Sequence, residues 1–111
     1  MLKNSNFREI LSKSEFAVIL ISGDGCANCI SMYPIVNNLN TIYTDIDTYF
    51  VEVDEENFEI NEEYGVEVVP TILITTYGKL IAKIKGYQPE EIFTLYIESK
   101  YEEIKKKDKV L

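Results

Sequence analysis

The chain has 111 residues, 46% of them hydrophobic and 27% charged, with a formal net charge of −8 at pH 7. That length and balance predict one soluble domain over residues 1–111, and the acidic charge argues against nucleic acid or an anionic membrane as a partner. Histidine is absent and only two cysteines occur, which removes imidazole catalysis, imidazole metal ligation and a four-thiolate zinc centre within one chain.

Residues 4–13 read as a short amphipathic helix opened by an Asn/Ser cap, with Phe7, Ile10 and Leu11 as its apolar side. Residues 16–22 are apolar almost throughout, as in a strand covered on both faces. Ser22-Gly23-Asp24-Gly25 makes a turn, and a helix follows over residues 26–42, with Ile30, Tyr33, Ile35, Val36 and Leu39 as expected apolar contacts. Residues 49–54 form a second strand, followed by a short acidic helix through Tyr64 that stops at Gly65. Residues 66–69 are extended up to Pro70, and residues 71–76 are a β-branched third strand. Tyr77-Gly78-Lys79 turns the chain into a fourth strand over residues 80–85. After Gly86 a last helix opens around Pro89, with Ile92, Phe93, Tyr96, Ile97, Tyr101 and Ile104 on its expected inner side. The acidic cluster at residues 52–63 and the lysines Lys105, Lys106, Lys107 and Lys109 read as solvated helix surface. Strands joined by a helix should be parallel and the last two a hairpin, which gives an α/β fold: a four-stranded mixed sheet with helices on both faces.

The two cysteines stand three apart, in Cys26-Ala27-Asn28-Cys29, where the first apolar strand delivers the chain to a helix N-terminus. A dithiol redox site has this layout. The first sulfur is exposed and ionisable, favoured by unpaired backbone N–H groups and the helix dipole. The second lies one turn away, where it can resolve a mixed disulfide. Asp24, two residues before Cys26, opposes that activation, so a moderately activated thiolate is expected.

Several features coincide in order with this pair: Pro34 five residues after Cys29, the segment Tyr64-Gly65-Val66-Glu67-Val68-Val69-Pro70-Thr71, and Gly78 and Gly86 beyond it. Over roughly residues 16–86 the chain resembles the thioredoxin family. The resemblance implies a thioredoxin-like fold whose first strand is absent or reduced to Met1-Leu2-Lys3. It implies a cis bond at Pro70, with Val69 and Pro70 flanking the dithiol and Val69 offering backbone hydrogen bonds to an extended substrate. Gly25, Ala27 and Asn28 would share in that surface, while Pro34, Thr71, Gly78 and Gly86 support it structurally.

The chain also departs from the family. Gly25 stands where thioredoxins carry a tryptophan, Leu20 where they carry a buried acid, and Phe50 in the region of the accompanying lysine. Tyr33 and Tyr87 are candidates for the groove, and Met32 is surface or packing rather than a metal ligand.

The leading expectation is a thiol–disulfide oxidoreductase that reduces protein disulfides, with Cys26 attacking and Cys29 resolving. It needs no cofactor beyond the Cys26–Cys29 disulfide and no metal. A recycling reductase or dithiol donor would recharge it. Alternatives are a glutathione-dependent enzyme like the glutaredoxins, a non-catalytic binding module using the groove beside Val69 and Pro70, and zinc shared by four thiolates of two chains. The longest apolar run is residues 16–21 and the N-terminus lacks the apolar core of a signal peptide, so a cytoplasmic monomer without a membrane partner is expected.

Overall fold

The computed structural model describes residues 2–110, with side chains described through Lys106. Along these residues the elements are α1 (Phe7–Ser12), β1 (Ala17–Gly23), α2 (Ala27–Ile42), β2 (Asp47–Val53), α3 (Glu59–Tyr64), β3 (Thr71–Thr76), β4 (Lys79–Lys85) and α4 (Glu90–Val110). The sheet order is β2-β1-β3-β4. β1 runs parallel to β2 and antiparallel to β3, and β3 and β4 form the expected hairpin.

β1 needs apolar side chains on both faces because it feeds two cores. Val18 and Leu20 join Met32, Val36 and Leu39 of α2 and Phe93 and Ile97 of α4. Ala17, Ile19 and Ile21 point the other way, toward Phe7 and Leu11 of α1 and Ile60 of α3. The period-2 alternation of one strand thus sets two helical layers on opposite faces of the sheet. Burial of these side chains removes apolar surface worth about 1.5–3 kcal/mol for each large residue, and this is the main force holding the layers together.

Met1 lies outside the described residues. Leu2 is buried, and its N–H donates to the Phe50 carbonyl at 3.0 Å, a single rung beside β2. No strand is formed there.

Several local expectations shift. The Asn/Ser cap does not serve α1, since Asn6 makes no side-chain cap there. Its Oδ1 instead accepts from the Lys3 N–H at 2.9 Å. Asn4 reaches across 55 residues to accept the Glu59 N–H at 2.9 Å, so it satisfies the start of α3. Arg8 then bridges Glu59 and Glu63 at 3.2 and 3.6 Å, and ties α1 to the acidic helix. β2 begins two residues earlier than expected and β4 one. Tyr77 (φ 49°) and Gly78 (φ 82°) form the two-residue hairpin turn with both central residues left-handed. That geometry suits the twist of the flanking strands and favours glycine at the second place.

The α4 face is rotated from expectation. Phe93 and Ile97 are buried, whereas Ile92 is 58% and Tyr96 39% exposed. Phe93, Ile97, Tyr101 and Ile104 follow the helical period, and Ile92 and Tyr96 stand one position, about 100°, off that stripe. Tyr96 lies instead under the Lys100 ammonium, 5.7 Å from its ring centroid.

Nor is Lys105 simply solvated. It pairs with Glu15 and, at 3.2 Å, with Asp45. Tyr101 donates its hydroxyl to Asp45 Oδ2 at 2.6 Å. The hydrogen bond from Tyr101, followed by the one from Lys105, holds the Asp45 carboxyl below its ordinary value, while the hydrogen bond that Lys105 donates to Glu15 raises the Lys105 ammonium. A depressed acid stabilises the fold above its unfolded pKa and loses that contribution as pH falls through the folded value. A raised base does so below its unfolded pKa and loses it as pH rises through the folded value. The cluster therefore contributes fully between about pH 4 and about pH 10, and modestly, because its members are partly solvated. Tyr101→Phe should move the Asp45 carboxyl back toward its ordinary value, as read by NMR titration. An unchanged Asp45 titration would contradict this assignment. The side chains of Lys107 and Lys109 lie outside the described residues.

Candidate active site

β1 ends at Gly23, and a turn through Asp24 and Gly25 hands the chain to α2. Gly25 has φ 71°, a conformation that side chains rarely adopt, and this reverses the backbone into the helix. Cys26 is the N-cap of α2. Its Sγ accepts the Cys29 N–H at 3.2 Å, one of the donors that a helix start leaves without an internal partner. Cys26 and Cys29 are joined as a disulfide, with Cα atoms 5.3 Å apart. Cys26 is half-buried and Cys29 only 4% exposed, while Ala27 and Asn28 between them face solvent. Charge that develops on Cys26 Sγ when the disulfide opens therefore meets an oriented N–H and the positive end of a 16-residue helix.

Pro34 sits inside α2 on its exposed side. It removes the donor for the Ile30 carbonyl, and its exposure leaves that carbonyl within reach of water. Two apolar contacts expected of α2 are not in the core: Ile30 is 76% and Tyr33 50% exposed. Met32 is fully buried, and its sulfur accepts the Gln88 N–H at 3.4 Å, which fastens the start of α2 to the loop before α4.

On the β3 side, the Val69–Pro70 peptide is cis. Thr71 pairs with Ile21, so Pro70 and Val69 continue the chain beside the end of β1. A Cβ placed on Gly23 would lie 3.5 Å from Val69 Cγ2, so Val69 rests against the strand end that leads to Cys26. Thr71 donates its hydroxyl to the Val68 carbonyl at 2.7 Å, and the Gly86 N–H donates to the Pro70 carbonyl at 2.8 Å. These bonds fix the loop from below and from the side, while Val68, Val69 and Tyr87 stay exposed. Gly78 lies at the opposite end of β3 and belongs to the scaffold, where Tyr64 donates its hydroxyl to the Gly78 carbonyl at 2.6 Å.

On the β2 side, a cleft of about 400 Å³ opens between α2 and the sheet, bordered by Cys26, Cys29, Tyr33 and Phe50, with Asp24 and Glu52 as its carboxylates. Leu20 and Phe50 are register partners on its floor. The Tyr33 ring lies on Phe50 with centroids 4.4 Å apart and planes at 31°. Where the family resemblance implies an acid and a lysine, the chain has hydrocarbon capped by a tyrosine. Glu52 and Ser22 had no place in the sequence reading of the site. Alternation along β2 was the available signal, since Glu52 falls on the same strand face as Phe50.

The sequence profile of thioredoxins matches residues 1–99. The chain belongs to the thioredoxin family. It is 31% identical over 85 residues to the mitochondrial thioredoxin-3 of Saccharomyces cerevisiae, covering 77% of this chain and 66% of that protein. It is 23% identical over 90 residues to a thioredoxin of Alicyclobacillus acidocaldarius, covering 81% and 86%. The crystal structure of the Saccharomyces cerevisiae mitochondrial thioredoxin 3 in its oxidized form superposes with a TM-score of 0.75 at 27% identity, over 86% of this chain and 88% of that one.

This member of the family is a thiol–disulfide oxidoreductase, a protein-disulfide reductase built on its redox-active disulfide. Thioredoxins need no cofactor beyond that disulfide. Among the described residues no group of three or more carboxylate, thiol or imidazole side chains is placed to hold a metal ion. No helix among them is long and apolar enough to cross a membrane.

Proposed function

We propose that Cys26 is the attacking thiolate and Cys29 the resolving thiol of a protein-disulfide reductase acting on extended segments laid along Gly25, Ala27, Asn28, Val69 and Pro70. The observation that carries this reading is the asymmetry of the pair. Cys26 Sγ holds the N-cap place and faces the Cys29 N–H, whereas Cys29 is buried. The exposed Val68 and Val69 beside Gly23 supply apolar contact for the substrate chain. Pro34, Thr71, Gly78 and Gly86 support this arrangement from the scaffold.

In the catalytic cycle the Cys26 thiolate attacks a substrate sulfur, and a mixed disulfide forms as one substrate thiolate leaves. Cys29 then attacks Cys26 Sγ, which releases the second substrate thiol and leaves the Cys26–Cys29 disulfide. A reductase or a dithiol donor returns two electrons to that disulfide. The whole chain acts as one thioredoxin-like domain, as a monomer in the cytoplasm.

The asymmetry predicts an order of labelling. Brief alkylation of the reduced protein at neutral pH should mark Cys26 at least about tenfold faster than Cys29, as read by peptide mass spectrometry. Equal rates, or faster labelling of Cys29, would overturn the assignment of roles.

A further inference from the structure

A thiol must lose its proton before its sulfur attacks, and Cys29, at 4% exposure, has little bulk water at hand to take it. The groups under α2 do not help. Leu20 and Phe50 are hydrocarbon, Met32 is a buried thioether, and Tyr33 covers Phe50 with its ring. The cleft that Cys29 borders nevertheless carries two carboxylates, Asp24 and Glu52, and among the described residues neither a lysine nor an arginine lines it. Asp24 belongs to the turn before Cys26, on the attacking side of the pair. Glu52 belongs to the sheet floor.

The register places Glu52 further. Leu20 pairs with Phe50 and Ser22 with Glu52. Val18 and Leu20 enter the core under α2, as Phe50 does, so alternation puts Ser22 and Glu52 on that same face, one pleat nearer the cysteines. Ser22, which lines the cleft, gives its hydroxyl proton to the Val51 carbonyl at 3.2 Å, and a hydroxyl oxygen that donates keeps acceptor capacity for a water proton. The cleft is wide enough for water. On its other side Glu52 borders a second cleft with Lys3, Asp54 and Glu56 as the charged neighbours.

We propose that the Glu52 carboxylate accepts, through water in the α2–β2 cleft, the proton that Cys29 gives up when it resolves the mixed disulfide. This rests on the reading of Cys29 as the resolving thiol. The step balances: the Cys29 S–H bond breaks and its proton passes through water to Glu52. The new S–S bond joins Cys29 to Cys26, and the bond from Cys26 to the substrate sulfur breaks with the electron pair leaving on the substrate thiolate. When the disulfide is later reduced by a dithiol, Cys29 leaves as thiolate and Glu52 returns a proton to it.

The test is single-turnover reduction of a small disulfide-bonded protein, in amine or sulfonate buffers, with formation and decay of the mixed disulfide followed by acid quench and mass spectrometry. In Glu52→Gln the formation rate should stay within about twofold of the parent protein, while decay slows about tenfold near pH 6–7. The deficit should close by about pH 9, where hydroxide takes the proton unaided. Glu52→Asp should recover part of the rate, and Asp24→Asn, which removes the other carboxylate of the cleft, should slow decay less than Glu52→Gln does. Equal decay in Glu52→Gln and the parent across pH 6–9, or a larger decay deficit in Asp24→Asn than in Glu52→Gln, would overturn the proposal. Release of product by Cys29→Ser at the parent rate would overturn the resolving role itself, which separates the two failures.

Discussion

Cys26→Ser should lower the rate of protein-disulfide reduction by on the order of a thousandfold or more. Cys29→Ser should keep the first step while losing turnover. The difference follows from position. The α2 N-terminus addresses the Cys26 sulfur through the Cys29 N–H at 3.2 Å. A serine hydroxyl there stays protonated near neutral pH and is a far poorer nucleophile toward sulfur. Removal of a nucleophile takes away the covalent path itself rather than a fraction of its rate. Cys29 is only 4% exposed, so it should not replace Cys26 as attacker. Its loss leaves the mixed disulfide without an internal thiol to displace the product. Insulin reduction with a dithiol as electron source measures both effects. Retention of more than about a tenth of the parent rate by Cys26→Ser would contradict the assignment.

Phe93→Ala should cost about 3–5 kcal/mol of stability, a large fraction of the ~5–15 kcal/mol that a domain of this size has. Phe93 is 1% exposed and lies in the core with Phe16, Met32, Val36 and Ile72, where α4 meets the sheet and α2. Truncation would leave a cavity that the close-packed neighbours fill only in part. Ile92→Ala, one residue away on the same helix, should change stability by no more than about 0.5 kcal/mol, because Ile92 is 58% exposed. Urea unfolding of the two variants reads the contrast as a large midpoint shift in one and almost none in the other. Similar losses in both would mean that the inner face of α4 is misassigned.

That pair also shows what the sequence can and cannot convey. Helix α4 was legible as an amphipathic segment, but its apolar positions span a stripe wider than the buried one. Spacing alone does not tell which edge of the stripe, Phe93 or Ile92, turns inward. The same limit applies to Ile30 and Tyr33. Both are apolar residues at plausible helical spacing, yet they lie on the exposed flank of α2 beside the cysteines. An apolar side chain that borders a functional cleft has the same sequence signature as one in a core.

The strand, the cysteine pair and the helix after it were legible because local chemistry dictates them: an apolar run, a glycine turn and a helix start. The hairpin was legible for the same reason. Asn4 and Lys105 were not, because their partners lie 55 and 90 residues away in the chain. Glu52 belongs with them. Its side chain was countable in an acidic cluster, but its place in the cleft depends on the parallel register that sets Ser22 beside Glu52.

The central claim is that Cys26 attacks and Cys29 resolves. The most direct measurement is the mass of the adduct that Cys29→Ser forms when incubated with a disulfide-bonded protein substrate. The account predicts a stable, dithiol-reversible one-to-one adduct whose mixed disulfide maps to Cys26. Failure of the folded, reduced variant to accumulate that adduct, together with an adduct at Cys29 in Cys26→Ser, would contradict it.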